Sequence, residues 1–508
     1  MARLKKIILV VLGIALVTGA GMWQKSLNHD RDTLGLTHVE GLTNAPPVLA
    51  FTTVALGGFR GLISNLLWTR AEQLQEDDKF FEMAQLSDWI TKLEPHFSQV
   101  WAHEAWNMAY NISVKFKDYP DRWRWVQNGI ELLRDEGLKY NPDDVLIHRE
   151  LAWFFQHKMG ANLDDASMYY KTQWKKDMEA VFGGTRPDFE ALIHPKTPDE
   201  IKRAQLLREK YKMDPEFMKK VDEEYGPLEW RLPEAHAIYW AAQGLQRAAE
   251  NPSKISPTDD LIVLRRVIYQ CMQVSWQRGH IVDSPFLTEM EFGPNLEIIP
   301  KVNDTYLKMY DEEKDPNQKE GILRAHRNFL RQVIYTLYVY NHIKDAAQWY
   351  KYLGERYPNK TIIDGDPNSF PRNTTLDQYV VACVQEDIND TGKDRATGII
   401  EGLVMTSYMS MVIDQDDRAD GLMRLARQAW TSYMSKIPEA RVQAIGLAPF
   451  GDIVRDIRDR LINSTNGLPP RARAVLMTKL NIAPTTNAPP ALSTNSVNQT
   501  ESRGTNSP

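Results

Sequence analysis

The segment His103-Glu104-Ala105-Trp106-Asn107 contains the residue types that begin a zinc-protease helix. In such a helix, two histidines four residues apart bind the zinc ion, and the glutamate between them acts as general base. Here Asn107 stands in the place of the second histidine. Because one imidazole cannot replace two at helical spacing, we predict no zinc site in this segment.

Other patterns that would indicate catalysis are incomplete. The glycine-rich run at 57–61 lacks the preceding strand and the following Lys-Ser/Thr of a phosphate-binding loop, and no G-x-S-x-G elbow occurs. These glycines instead suit a close approach of helices. His148 and Glu150 flank Arg149 near a predicted helix start, where His148 could bind a metal or move protons. Because no partner cluster accompanies them, a polar surface near a helix cap is the favoured interpretation.

Four acidic residues keep an enzymatic alternative open. An enzyme built on a toroid of helices would carry a pair of carboxylates in a cleft, and the candidates are Asp364, Asp366, Glu386 and Asp387. Their spacing is not diagnostic of any reaction. We therefore predict a non-enzymatic protein with no catalytic residue, no cofactor and no metal site, and the toroid enzyme is the least favoured alternative.

The composition indicates a folded, weakly acidic chain. Of its 508 residues, 43% are hydrophobic and 25% are charged, which are ordinary values for a protein with a sizeable core. The net charge of −6 gives no basic face for nucleic acid. The two cysteines, Cys271 and Cys383, exclude a disulfide framework. Two buried thiols are favoured over a single bridge, because free cysteine is among the most buried residue types.

Aromatic and arginine side chains are the candidates for binding a partner. The chain holds 14 tryptophans, whose rings either fill helix interfaces or line a ligand groove, and filling is the favoured interpretation. Two arginines in an apolar setting could hold a partner's carboxylate through the guanidinium fork, although pairing with Glu72, Glu76 or Asp77 is favoured. The candidate partner-binding residues are Arg60, Arg70, Trp101, Trp106, Trp123, Trp153 and Tyr170.

Most of these candidates lie in a segment with a clear helical period. From Phe59 to Leu74, apolar residues recur on one face, and four further helical patterns follow, separated by short polar or proline-containing turns. Such a train of antiparallel helices is typical of a helical-hairpin array. We predict that this first array occupies residues 48–175.

One sequence pattern recurs at a distance along the chain. Residues 165–171 and 345–351 share the pattern Asp-Ala-x-x-aromatic-Tyr-Lys. In the second copy, Ala346 and Tyr350 suit a close helix crossing filled by an aromatic ring, and Pro358 follows where a repeat would end. These residues resemble the tetratricopeptide-repeat (TPR) pattern. The resemblance implies an all-α fold, with an α-solenoid-like array of antiparallel hairpins.

Three further segments complete the predicted body. A second array is predicted at 233–463, with its TPR-like hairpin near 321–358. The charged segment 176–232, which carries a helix-start pattern at Thr197, is predicted to be a helical insert that interrupts the array. Residues 464–508 are predicted to be a mostly disordered tail, because the Pro, Thr, Asn and Ser residues that dominate its end cannot bury enough apolar surface to fold.

The N-terminus predicts a membrane anchor at 1–23, followed by a polar linker at 24–47. Three positive charges precede an apolar run of 17 residues that ends at Trp23. The positive residues are expected to stay in the cytoplasm, which places the body on the extracytoplasmic side. Cleavage after the run, giving a secreted protein, is the alternative. A second apolar stretch at 48–68 contains Arg60 and is interpreted as buried helices, because an arginine at the bilayer centre is costly.

Two segments also resemble the start of the body in membrane-anchored bacterial proteins with TPR-like repeats. They are residues 56–71 and the turn at 93–97. The resemblance covers residues 1–175 and implies a single-pass protein of the bacterial cytoplasmic membrane, with no assigned reaction.

The expected function follows from this architecture. Stacked helical hairpins form a concave surface that accepts peptides or partner proteins. We therefore expect a membrane-tethered scaffold or assembly factor for protein–protein interaction. A cell-wall or polysaccharide-binding protein with aromatic sugar-stacking sites is the alternative, and the sequence leaves the partner and the oligomeric state open.

Overall fold

The computed structural model describes residues 60–251, 258–282, 290–385, 393–435, 447–463 and 467–482, together with isolated positions elsewhere. The predicted anchor and linker therefore lie outside the described residues, apart from such isolated positions. In the described part of the chain, no helix combines the length and the apolar character that a membrane span requires.

The chain is mostly helical, which confirms the predicted all-α class. The exception among the described residues is a short antiparallel pair of strands, β1 (His280–Val282) and β2 (Glu291–Gly293). The chain forms two compact units, residues 1–282 with 290–319, and residues 283–289 with 320–508.

The helices of the first unit follow one another with short connections. Apart from the single turn Leu138–Tyr140, they are α1 (Arg60–Glu76), α2 (Phe80–Leu93), α3 (Ser98–Trp106), α4 (Tyr119–Glu131), α5 (Val145–Trp153), α6 (Ser167–Phe182), α7 (Phe189–Ile193), α8 (Pro198–Glu209), α9 (Pro215–Tyr225), α10 (Pro233–Glu250), α11 (Thr258–Arg278) and α12 (Ile299–Glu312). Neighbouring helices pack on each other, as α1 does on α2 and α10 on α11.

Three of these helices continue into π-helical turns. The π-helical segments are Asn107–Ile112 after α3, Leu132–Gly137 after α4 and Phe154–Gly160 after α5. A π-helical turn holds an extra residue, is rare in proteins and occurs frequently at functional sites. All three π-helical turns therefore lie in one part of the first unit, between residues 107 and 160.

The charged segment 176–232 belongs to the same compact unit. Thr197 caps α8 through the predicted capping box with Glu200. Helix α8 packs on α6, and α9 packs on α10, which in turn packs on α5 and its π-helical continuation. The chain therefore does not divide at residue 233, because the helices that follow this segment complete the core of the first unit.

The second unit contains a hydrophobic core between residues 396 and 476. The helices of this unit are α13 (Pro316–Val339), whose first residues belong to the first unit, α14 (Ile343–Arg356), α15 (Leu376–Gln385), α16 (Lys393–Val412), α17 (Asp416–Ser435), α18 (Phe450–Ile462) and α19 (Pro470–Lys479). At the predicted TPR-like hairpin, Ala346 is fully buried and His326 of α13 lies 2.8 Å from the hydroxyl of Tyr357, which follows α14.

Helix α19 corrects the predicted tail. A tail was expected from residue 464, but α19 packs on α16 and buries Ala472 and Leu476 in the core of the second unit. The prediction was wrong for this stretch because it took its composition from the residues that follow. Residues 483–508 lie outside the described residues.

Glu104, from the protease-like segment, is a buried acid between α3 and α2. Its side chain is 1% exposed and lies near Ser87. Burial raises the pKa of Glu104 from 4.5 to about 8, with a smaller contribution from the charge of Asp88. Between these two pH values the folded chain keeps a proton that the unfolded chain loses, so rising pH lowers the free energy of unfolding.

Replacing Glu104 with glutamine is expected to remove this pH dependence. Between pH 5 and pH 8 the parent chain should lose stability, on the order of 3 kcal/mol relative to the Glu104→Gln variant. Chemical unfolding at several pH values measures the difference. The exposed Glu82→Gln variant is the control and should follow the parent. Parallel pH profiles for Glu104→Gln and the parent would contradict the assignment.

Gly421 is expected to contribute to the stability of the second unit, because a side chain does not fit at this position. A Cβ at this position of α17 would overlap the Val339 carbonyl at the end of α13. We expect Gly421→Ala to lower the free energy of unfolding by about 1–3 kcal/mol. Gly402 of α16 is the matched control, because a Cβ there meets nothing within 4 Å. Gly402→Ala should stabilise its helix by about 0.5–1 kcal/mol; equal effects of the two changes would refute this packing.

Candidate functional site

A cleft of about 270 Å³ lies in the first unit, where the π-helical continuations of α3 and α5 meet the loop before α6. We call it the cleft throughout. Its lining comes from four places in the chain: the end of α3, the start of α4, the end of α5 and the loop at 161–166. The lining residues are Tyr110, Val114, Arg122, His157, Lys158, Leu163, Asp164 and Asp165.

The carboxylate of Asp164 is the centre of this cleft. One oxygen accepts from Nη1 of Arg122 at 3.0 Å and from the backbone N–H of Ala166 at 2.9 Å. The other accepts from Nζ of Lys158 at 2.6 Å and from the hydroxyl of Tyr170 at 3.2 Å. A carboxylate has about four acceptor positions, so these donors fill it.

The three charged side chains at this centre are largely shielded from water. Their exposed fractions are 14% for Arg122, 4% for Lys158 and 8% for Asp164. Burial by itself would raise the pKa of Asp164, but its hydrogen bonds and the charges of Lys158 and Arg122 outweigh burial and hold that pKa below the usual value. Burial lowers the pKa of Lys158, and the nearby Arg122 adds to this effect.

A column of four aromatic rings runs beside the cleft. Trp106 stacks on Tyr110 with ring centres 5.2 Å apart, and Trp153 stacks on His157 at 4.6 Å. Each pair is four residues apart, so both rings lie on one face of their helix. The Tyr110 hydroxyl lies 3.1 Å from Nδ1 of His157 and joins the two pairs.

An indole donor also belongs to this column. The Trp153 indole donates to the Tyr110 hydroxyl, whose oxygen lies 3.1 Å from Nδ1 of His157. Burial and the charge of Lys158 lower the pKa of His157 and favour the neutral ring. A neutral imidazole carries one proton, so its two nitrogens offer one donor and one acceptor.

Three of the predicted partner-binding residues are buried rather than exposed. Trp101 is 4% exposed, Trp123 is 7% exposed and Tyr170 is fully buried. Trp101 donates to the Pro95 carbonyl at 2.8 Å, and Trp123 stacks on Tyr170. Their rings fill helix interfaces, so they are not available as surface anchors, although Tyr170 supports the cleft through Asp164.

The remaining predicted residues have different surroundings. Trp106 is 39% exposed and Trp153 is half-buried, and both belong to the aromatic column. Arg70 is exposed and donates to Gln73, not to the acidic neighbours expected from the sequence. The side chain of Arg60 lies outside the described residues.

Arg122, Lys158 and Asp164 are not among the residues that were predicted from the sequence. One signal was available for Lys158, because it follows Leu151 and Phe155 at helical spacing and so falls on the buried face of α5 and its continuation. A lysine at such a position needs an acidic partner, since unpaired buried charges are costly. No comparable pattern singles out Asp164 from the adjacent Asp165.

The residues considered for catalysis do not form a site among the described residues. His148 was predicted to lie on a polar surface but is 1% exposed, and its Nδ1 donates to the Asp144 carbonyl at 2.8 Å. Asp364 pairs with Arg331 at 3.0 Å. Asp366 accepts a backbone N–H in a turn.

The other two candidate acids, Glu386 and Asp387, lie outside the part of the chain that the structure describes. Within it, no group of His, Cys, Asp and Glu side chains could hold a metal ion. Neither cysteine forms a disulfide; Cys271 is buried and Cys383 half-buried.

A larger groove of about 630 Å³ lies in the second unit, mainly between α16 and α18. Exposed Met405 and Met409 and the glycines of α16 line it, and Glu401 pairs with Arg460 at its edge at 3.6 Å. Because apolar surface by itself does not select a ligand, the cleft of the first unit is the better-defined site.

No family model matches this chain, and no curated protein or solved structure matches it either.

We expect the Asp164→Ala variant to destabilise the first unit by about 3–5 kcal/mol, because it leaves Lys158 and Arg122 as buried charges without their shared counter-ion. The matched control is Asp165→Ala, which removes an exposed neighbouring carboxylate and should change stability by less than about 0.5 kcal/mol. Denaturant unfolding of both variants compares the two losses. Similar, small losses would contradict the central position of Asp164.

Proposed function

We propose that this protein is a non-enzymatic, membrane-tethered scaffold that binds a segment of a partner protein in the cleft. The observation that carries the proposal is the contrast between the floor and the rim of this site. The floor is a fixed ionic cluster around Asp164. The rim holds exposed aliphatic side chains, with Leu163 at 73% and Val114 at 45% exposure.

This contrast suits a peptide ligand. When a partner's apolar side chain covers exposed aliphatic side chains beside a concavity, binding is favoured, because apolar surface is removed from water. Polar groups held in place by buried hydrogen bonds lose little conformational entropy when they bind. A peptide segment offers both an apolar side chain for the rim and polar groups for the floor.

The scaffold and its tether rest on the sequence. The consecutive helices of the first unit support a helical array, and the TPR-like pattern at 345–351 supports its assignment as a repeat protein. The positive charges and the apolar run at 7–23 support an anchor that holds the body on the extracytoplasmic side. These features belong to the proposal.

The polysaccharide-binding alternative receives less support from the rings. A sugar-binding platform needs aromatic faces that are open to the ligand. Here Trp106 and Tyr110 are 17° from parallel, and Trp153 and His157 are 11° from parallel, so stacking covers one face of each ring. Fewer ring faces therefore remain for a sugar.

Site-specific photo-crosslinking tests the proposal. A photoreactive amino acid replaces Leu163 in the full chain, in native membranes. We expect discrete crosslinked protein products that disappear when Val114→Glu places a charge on the rim. The control position is Ile201, an exposed aliphatic residue of α8 outside the cleft.

The two positions distinguish a binding site from a generally adhesive surface. A probe at Ile201 should give no product of comparable yield, and Ile201→Glu should leave the product at position 163 intact. The proposal fails if position 163 gives no product above the control, or if Val114→Glu leaves its product unchanged.

A further inference from the structure

The hydrogen-bond donors on the cleft floor outnumber the acceptors that the chain supplies. Lys158 has three ammonium hydrogens and uses one on Asp164. Arg122 donates from Nε to the Phe116 carbonyl at 3.0 Å and from Nη1 to Asp164. Its Nη2 group remains for another acceptor. Because Asp164 already receives four donors, it cannot accept further hydrogen bonds.

The charges on the floor show the same imbalance. Two shielded cations, Arg122 and Lys158, share the single shielded carboxylate of Asp164. Asp165 also lines the cleft but is exposed, so solvent screens its charge. The floor therefore carries one positive charge in excess, and a second carboxylate would provide its counter-ion.

The surroundings hold these donors in place. Lys158 lies over the Tyr110 ring at 5.0 Å, a cation–π contact that fixes its position. Glu150, whose charge acts on Tyr110, pairs with Arg149, which also pairs with Asp260. The neutral ring of His157 also lines the cleft beside the two cations.

We infer that the cleft recognises a carboxylate of the partner segment, next to an apolar side chain that packs on Val114 and Leu163. The carboxylate accepts from Lys158 and Arg122, which makes charge-assisted hydrogen bonds. It is a C-terminal carboxylate or an Asp or Glu side chain, since both offer the same acceptor group. This inference rests on the proposed function in one respect, namely that the ligand is part of a protein.

Small probes test the inference on the full chain in detergent micelles. The probes are N-acetylleucine, which has a C-terminal carboxylate, N-acetylglutamic acid α-amide, which has a side-chain carboxylate, and neutral N-acetylleucinamide. Ligand-observed saturation-transfer NMR gives their dissociation constants. We expect at least one acidic probe to bind about fivefold or more tightly than the neutral amide.

The two acidic probes separate the possible sources of the carboxylate. Tighter binding of N-acetylleucine alone assigns the site to a chain terminus. Tighter binding of the glutamate probe assigns it to an internal acidic segment. Equal binding of all three probes, or a preference for the neutral amide, overturns the inference.

Two variants connect the preference to the floor. Lys158→Met should abolish it, with circular dichroism confirming the fold. Asp165→Asn should strengthen binding of the acidic probe about two- to threefold, because it removes an exposed repulsive charge. Because Asp165 is exposed, Asp165→Asn is expected to fold and tests the inference even if Lys158→Met does not fold. Unchanged or weaker binding of the acidic probe to Asp165→Asn would count against the inference.

The outcome is independent of the photo-crosslinking result. A crosslink at Leu163 together with equal binding of acidic and neutral probes would keep the partner site and reject the carboxylate preference. Acid-selective probe binding without a crosslinked protein would keep the preference and reject the scaffold function.

Discussion

The structure of the cleft depends on one buried carboxylate. Asp164 lies in the loop before α6 and joins the start of α4 through Arg122, the end of α5 through Lys158, and α6 through Tyr170. A buried carboxylate of this kind is stable only while its donors stay in place, and its donors are stable only while the carboxylate stays ionised. This mutual requirement fixes the loop against three helices, and the fixed loop gives the cleft its floor.

The π-helical turns supply the other half of the site. Tyr110 lies in the continuation of α3, and His157 and Lys158 lie in the continuation of α5. The extra residue in each turn changes the direction of the side chains that follow, relative to a regular α-helix. In this arrangement the aromatic column and the ionic floor lie side by side, so both apolar and polar groups line the cleft. The proposed preference for a carboxylate beside an apolar side chain follows from that arrangement.

Local patterns in the sequence predicted the helical class and one helix start, but not the contacts between residues that are distant in the sequence. Helical periodicity gave the all-α class, and the local pattern at Thr197 gave the start of α8, because both depend on near neighbours. Trp106 and Trp153 were identified as candidates from residue type, but Trp101 and Trp123 were identified equally and are core residues. Burial depends on tertiary packing, which residue type does not encode. The cluster around Asp164 joins residues up to 42 positions apart, and π-helical turns leave no clear trace in the apolar pattern.

The central claim is that Asp164 is the counter-ion that compensates the free-energy cost of burying the charge of Lys158. A double-mutant cycle tests it directly: denaturant unfolding is followed by tryptophan fluorescence, which reports mainly the first unit, where most tryptophans lie. The account predicts that Lys158→Met lowers the free energy of unfolding in the parent chain but raises it in the Asp164→Asn variant, because there the lysine is a buried charge with less compensation. An effect of the same sign and size in both backgrounds would contradict the account.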